Sequence, residues 1–245
     1  MTRPTVRCPG GRAETECGFP YSRNVAIAAD AVSPVRRIKQ PRSRKTYDAL
    51  IETGFKLLEQ NDLESVPIAE LAKAAGYSVG AFYARFQSKD EFFNALIAHH
   101  LEQRARARDE LLSKAPDHTL IDELISDFVA YYWNRRRFWR AVLARSSHDA
   151  RVWEPIRQDG REFDNKLMDR MMQRAGRPLT EAERTKVSFA FQLARGTINN
   201  AILNRPGPIF IGHDLFVRNL ARAFRLVSDY DRLIGISGSE PSSTP

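Results

Sequence analysis

Residues 68–86 read Ile-Ala-Glu-Leu-Ala-Lys-Ala-Ala-Gly-Tyr-Ser-Val-Gly-Ala-Phe-Tyr-Ala-Arg-Phe, and Ser88-Lys89-Asp90 follows after a single glutamine. Ile68, Leu71, Ala72 and Ala75 recur at the three- and four-residue spacing that lines one face of a helix. Pro67 suits the first turn of that helix, where its missing N–H costs little. Gly76 stops it, because glycine accepts the positive φ that ends a helix. Ser78 then caps a short second helix reaching Phe86. Two short helices across a tight glycine turn make a helix-turn-helix unit. In such a unit the first helix braces on the DNA backbone and the second offers its N-terminal turn to base edges in the major groove.

The flanks extend the same pattern. Tyr47, Leu50, Ile51, Gly54, Leu57 and Leu58 form the stripe of a helix from Ser43 to Gln60, and Ser88 with Glu91 reads as a capping box for one from Lys89 to Leu112. Beyond Pro116 the spacing predicts helices over 119–134, 136–146, 149–175, 180–204 and 214–230, which makes nine in all, and no strand. Thr180 and Glu183 form a second capping box, and Gly176-Arg177-Pro178 and Arg205-Pro206-Gly207-Pro208 are breaks. Residues 1–41, rich in proline and glycine, are expected to be a flexible basic leader, and 235–245 a flexible tail. Residues 42–98 then form the helix-turn-helix domain and 99–234 a larger helical bundle.

Composition narrows the function. With 42% hydrophobic and 28% charged residues the chain is ordinary for a soluble protein, and no apolar run is long enough to span a membrane. It has no secretory signal pattern and is expected in the cytoplasm, with no membrane partner. Its two cysteines, Cys8 and Cys17, lie in the leader without nearby histidines, so no metal or other cofactor is expected. The net charge of +8 points to an anionic partner. That charge is concentrated in the leader; over 46–98, Lys56, Lys73, Arg85 and Lys89 are outnumbered by carboxylates. A basic arm attracts phosphate, though a solvated tail has the same composition.

The run from Arg44 to Leu96, and above all its Ala-Gly-x-Ser-x-Gly-x-Phe-Tyr-x-x-Phe-x-x-Lys core, resembles the DNA-binding domain of the tetracycline-repressor (TetR) family. The resemblance covers about a fifth of the chain. It implies an all-α protein with an N-terminal three-helix helix-turn-helix domain and a C-terminal helical bundle for effector binding and dimerisation. It also implies a homodimeric repressor on double-stranded, palindromic DNA, released by a small effector. By the resemblance, Ser78 starts the recognition helix, Val79, Gly80 and Ala81 form its base-facing turn, and Tyr83 and Lys89 hold phosphates. Arg42, Arg44 and Lys45 match the arm that precedes the first helix. Pro67 and Ala69 depart from the family pattern, leaving the second helix without a capping hydroxyl and without a long polar side chain for the bases.

A helical wheel sharpens this reading. Val79, Phe82 and Phe86 fall on one face, and Gly80, Ala81, Ala84 and Arg85 on the other. That second face is nearly bare, so the backbone can approach the groove closely, with Arg85 the one side chain able to grip guanine with two hydrogen bonds. The competing readings are an Arg85 paired with Asp90 or Glu91, a half-buried Tyr83 ring and a packing role for Gly80.

The rest of the chain carries no catalytic motif, which disfavours an enzyme. Aromatic residues crowd its middle. Phe128, Tyr132, Trp139 and Phe163, with Gln192 and Asn199 as polar anchors, are candidates for a pocket holding a small apolar or aromatic effector, or are ordinary core. Val187, Phe191, Ala194, Ile198, Ala201 and Ile202 form one apolar stripe and Leu215, Phe216, Leu220, Phe224 and Val227 another, suited either to a dimer interface or to the chain's own core. Arg104, Arg106, Arg108 and Arg135 to Arg137 read as solvated helix faces or caps. A helical protein-interaction module of the same fold, without an operator, is the alternative function.

Overall fold

The structure, a computed structural model, describes residues 41–62 and 65–236, with side chains from Arg44 onward. Among these residues every regular element is a helix: α1 (Pro41–Leu58), α2 (Ile68–Ala74), α3 (Val79–Tyr83), α4 (Lys89–Lys114), α5 (Leu120–Asn134), α6 (Arg136–Ser146), α7 (Glu154–Ala175), α8 (Glu181–Asn204), α9 (Asp214–Ser228) and α10 (Tyr230–Leu233). The all-α architecture is as the sequence implies. The leader up to residue 40, with Cys8 and Cys17, and the tail from residue 237 lie outside the described residues.

The helix boundaries differ from expectation where local chemistry intervenes. α1 begins at Pro41 rather than Ser43, since proline is tolerated in a first turn. The helix expected from residue 149 opens instead as a 3-10 turn over Ala150–Val152, because the Asp149 side chain accepts the Arg151 N–H at 3.0 Å; α7 then starts afresh with Pro155 in its first turn. The final helix is broken at Asp229, which takes a left-handed φ of 54° and leaves α10 as a single extra turn. The count among the described residues is therefore ten rather than nine. The capping box at Thr180 and Glu183 forms in full, and the Arg177 guanidinium on the Glu183 carboxylate helps hold its pKa down at about 2.

The core runs continuously from α1 to α10. Phe82, Phe86 and Phe92 pack as a ring cluster beneath the helix-turn-helix, with centroids 5.0–5.5 Å apart. Gly54 of α1 lets this cluster close, since a Cβ there would lie 2.6 Å from the Phe92 ring. Further along, Phe128, Phe163, Phe191 and Phe224 form an aromatic relay, one ring each from α5, α7, α8 and α9, at 5.6, 5.7 and 4.9 Å. Arg170 of α7 donates to the carbonyl of Leu112, to that of Ala115 at 2.6 Å and to Asp117, satisfying carbonyls at the end of α4 that no helical N–H reaches.

Burial decides between two open readings and overturns one expectation. Val187, Phe191, Ala194, Ile198, Ala201 and Ile202 are all buried within the single chain, as are Phe216, Leu220 and Phe224, so these residues are intramolecular core, while Leu215 of the second stripe is exposed and Val227 half-buried. Arg104 and Arg108 are not on a solvated face: they are 1% and 4% exposed, beside a fully buried His100. Arg106 does face solvent, paired to Glu102 at 2.5 Å. The domain boundary expected at residue 98 falls inside α4, one uninterrupted helix.

Burial, then the charges of Arg135, Arg104 and Arg108, hold the His100 pKa well below its usual value, and the Tyr131 hydroxyl lies 3.2 Å from its Nδ1. The unfolded chain therefore binds a proton near pH 6.5 that the folded chain refuses. Stability is full above that pH and falls by about 1.4 kcal/mol per pH unit below it, until the folded-state pKa is reached. Denaturant titrations of the wild type and His100→Gln between pH 5 and 8 check this: the variant should lose that component of the slope, and equal slopes would refute it.

Candidate nucleic-acid interface

The turn between α2 and α3 is built as the sequence indicates. Pro67 is the residue before α2 rather than its first turn, with extended backbone and no side-chain cap. At the other end Gly76 takes a φ of 78°, its N–H bonds to the Lys73 carbonyl at 3.0 Å, and the Tyr77 N–H reaches back to Ala72 at 2.9 Å. That crossed pair of bonds is a Schellman stop. Ser78 caps α3 by accepting the Ala81 N–H at 3.2 Å, which occupies its hydroxyl oxygen.

α3 is shorter than expected. It ends at Tyr83, not Phe86, with Ala84 as its C-cap. Phe82 and Phe86 anchor it from below, fully buried, but Val79 is 39% exposed and so belongs with the outward face. A five-residue helix buries only the one position that points straight down, and Val79 stands at its open first turn. Gly80 is exposed, and a Cβ there would meet only the Ser78 hydroxyl at 3.8 Å, so it is not a packing glycine. Ala81 is half-buried and Ala84 exposed. Tyr83 is 52% exposed, its ring edge-on to Phe82 at 5.5 Å, so it is not a core ring.

Arg85 lies past the end of α3 and is half-buried. Its Nη1 donates to the Ala84 carbonyl at 3.2 Å, and its buried Nε has no partner among the described residues. Asp90 instead pairs with Arg145 of α6, and Glu91 accepts the Gln87 N–H at 2.6 Å rather than that of Ser88, so the return bond of the Ser88–Glu91 capping box closes one residue early. Ser88 does accept the Glu91 N–H, at 3.1 Å, which places the half-buried Lys89 in the first turn of α4.

Arg44 and Lys45 are exposed, and Arg42 is in the same helix with its side chain outside the described set. All three fall in the first turns of α1 rather than in an arm before it, with the Arg44 guanidinium 3.9 Å from Asp48. Of the residues expected at the DNA, Ser78, Val79, Gly80, Tyr83 and Ala84 are exposed and Ala81, Arg85 and Lys89 half-buried.

The residues expected to line an effector pocket are divided. Phe128, Trp139 and Phe163 are buried and Tyr132 packs on Trp139 at 4.6 Å. Asn199 is a polar anchor already in use, accepting the Trp139 indole N–H at 2.8 Å. Gln192, seven residues before Asn199 and so near the same face of α8, is exposed. A separate surface cleft of about 420 Å³ lies between the end of α1 and the α5–α6 turn, lined by Phe55, Gln60, Arg135 and Arg137 among others.

Residues 50–96 match the sequence profile of the family described as bacterial regulatory proteins, tetR family. Over 58 residues the chain is 38% identical to the uncharacterized HTH-type transcriptional regulator YwcC of Bacillus subtilis; the match covers 24% of this chain and 26% of that protein. In fold it is similar to Salmonella enterica GusR, with a TM-score of 0.55 at 17% identity over 75% of this chain and 95% of that one. It is similar as well to the fatty acid degradation regulator FadR of Bacillus halodurans, with a TM-score of 0.50 at 16% identity, over 76% and 95%. No described helix is long and apolar enough to cross a membrane. Residues 50–96 thus carry a helix-turn-helix similar to that of the tetR family of bacterial regulatory proteins, in a chain whose helical fold is similar to those of GusR and FadR.

Proposed function

We propose that the protein is a homodimeric, sequence-specific DNA-binding regulator, a repressor lifted from a palindromic operator by a small effector. The observation that carries this reading is the exposed first turn of α3, where Val79 and Gly80 stand clear of the core above a buried Phe82 anchor. A nearly bare turn of this kind lets backbone and methyl groups meet thymine methyls and the groove wall. Tyr83 and Lys89 flank it as phosphate contacts, and Arg44 and Lys45 add charge from the start of α1. Guanine reading by Arg85 requires its guanidinium to leave the Ala84 carbonyl, so readout leans on shape and thymine contact.

Dimerisation is supported by an exposed apolar face that shares only Leu215 with the stripes named from the sequence. On α8, Phe189, Leu193, Gly196 and Leu203 share one side, with Phe189 53% and Leu203 40% exposed. On α9, Leu215 and Leu226 do the same, at 51% and 69%. Symmetric pairing of these two helices with their copies would cover all of them. Phe189→Asp combined with Leu226→Lys should therefore yield a folded monomer by analytical ultracentrifugation; a dimer unchanged in affinity would remove this face from the interface.

A mobility-shift titration with the DNA flanking its own gene, in competition with unrelated duplex, tests the function directly. A specific complex is expected, and Lys89→Ala should reduce the slope of log affinity against log salt by about one unit, as one lost phosphate contact does. Equal affinity for all duplexes would favour an interaction module of the same fold.

A further inference from the structure

We propose that the surface cleft between the end of α1 and the α5–α6 turn is a binding site for a phosphoryl dianion, held by the consecutive arginines Arg135, Arg136 and Arg137. The cleft lies outside the interior of the C-terminal bundle and includes no residue of α2 or α3, so the proposal is independent of the regulator reading. At about 420 Å³ it falls within the roughly 300–1,000 Å³ of small-ligand sites. Part of its lining is apolar: Leu58 and Phe138 are buried, and the Phe55 and Phe138 rings meet edge-on at 5.1 Å.

Charge is what sets this cleft apart. Arginines that tie the helices of the bundle together are matched to carboxylates, as Arg104, Arg108, Arg170 and Arg195 are. These three are not. Among the described residues Arg135 donates to Gln103 Oε1 at 3.0 Å, Arg136 to the Trp133 carbonyl at 3.2 Å and Arg137 to the Gln60 carbonyl at 3.1 Å, all neutral acceptors, and none of them forms an ion pair. Glu59 is the single carboxylate in the lining, so the cleft keeps an excess of two positive charges. Ring faces hold two of those charges in place without neutralising them. The Arg135 guanidinium carbon lies 4.4 Å from the Phe55 centroid, and that of Arg136 lies 4.7 Å from Trp133. Like charges held this close repel, and a bound dianion relieves that repulsion. Arg136 and Arg137 are exposed and keep N–H groups beyond the one engaged, so they supply the hydrogen bonds. Arg135 is half-buried, with Nη1 unmatched, and adds charge. The first turn of α6, which has no side-chain cap, brings the positive end of a helix dipole to the same place. A monocarboxylate answers only one of the two excess charges, and its two oxygens suit a single guanidinium. A phosphoryl group brings both charges and enough oxygens for two arginines at once. The source is inorganic phosphate or a small phosphate ester whose body lies on the apolar part of the lining.

The test is calorimetric titration of the full chain, without DNA and at fixed ionic strength, with inorganic phosphate, glycerol 3-phosphate, phenyl phosphate and acetate. At least one phosphate compound should bind about tenfold or more tighter than acetate, and whether phosphate itself or an ester binds best identifies the source. Arg136→Gln should weaken that binding by about tenfold. Arg140→Gln removes the same charge from an exposed position on α6 outside the cleft, and should leave the affinity within about twofold. Arg137→Gln is the second cleft variant, expected to match Arg136→Gln, and decides the matter if the first does not fold. Acetate binding as tightly as every phosphate compound, or cleft variants no weaker than Arg140→Gln, would overturn the proposal and leave these arginines a solvated cationic surface.

Discussion

Replacing Phe82 by alanine should cost about 3–5 kcal/mol, as loss of a fully buried aromatic does, and lower the melting temperature by roughly 6–20 °C. The ring is fully buried, packed on Phe86 and Phe92, and is the side chain that fixes α3 to the body of the domain. Because the global stability of such a chain is only about 5–15 kcal/mol, DNA binding should fall with it. The neighbouring Tyr83→Ala has the opposite signature. Tyr83 is more than half exposed, so its loss should change stability by about 0.5 kcal/mol or less while weakening DNA binding. Thermal melts set beside fluorescence-anisotropy titrations separate the two. If Tyr83→Ala destabilises as much as Phe82→Ala, the ring is part of the core and its contact with phosphate is wrong.

The second large effect is at Gly80. Glutamate there should fold normally, since the position is open, yet reduce DNA affinity on the order of 100-fold or more by placing a carboxylate against the duplex. Alanine at Gly80 is the finer probe. It should stabilise α3 by up to about 1 kcal/mol, because glycine is a poor helix former, and still weaken DNA binding if the backbone approaches the groove closely. A melting temperature that rises with affinity unchanged would show that the groove wall stays clear of this turn.

The parts of this fold legible in sequence are those where one residue type settles one local question. Gly76 could only be a stop, Ser78 and Thr180 were best placed as caps, and the spacing of Leu50, Ile51, Gly54 and Leu58 admitted only a helix with a buried face. The misreadings came where residue type and position disagreed. Arg104 and Arg108 continue the stripe of Phe93, Ile97 and His100 at the same spacing, so periodicity placed them inward while their charge argued outward. Periodicity was right, because Asp127 and Asp159, from α5 and α7, neutralise their outer ends. Neither partner is visible along α4 itself. The stripes on α8 and α9 left two readings open for another reason: the most continuous apolar face fills the chain's own core, and the exposed apolar face beside it is sparser and broken by Asn200 and Arg222.

The uninterrupted span of α4 also sets a mechanical ratio. From Arg108 to Lys89 the helix runs nineteen residues, about 29 Å at 1.5 Å each. A tilt of about 5° pivoting at Arg108 would carry the Lys89 end through about 2.5 Å, most of the 3.4 Å step between base pairs. In a symmetric pair the two ends would move in opposite senses and the separation of the reading helices would change by up to twice that. On the dimeric reading proposed above, a rotation of that size would be geared up, by length alone, to a misfit of more than one base pair between the two reading helices.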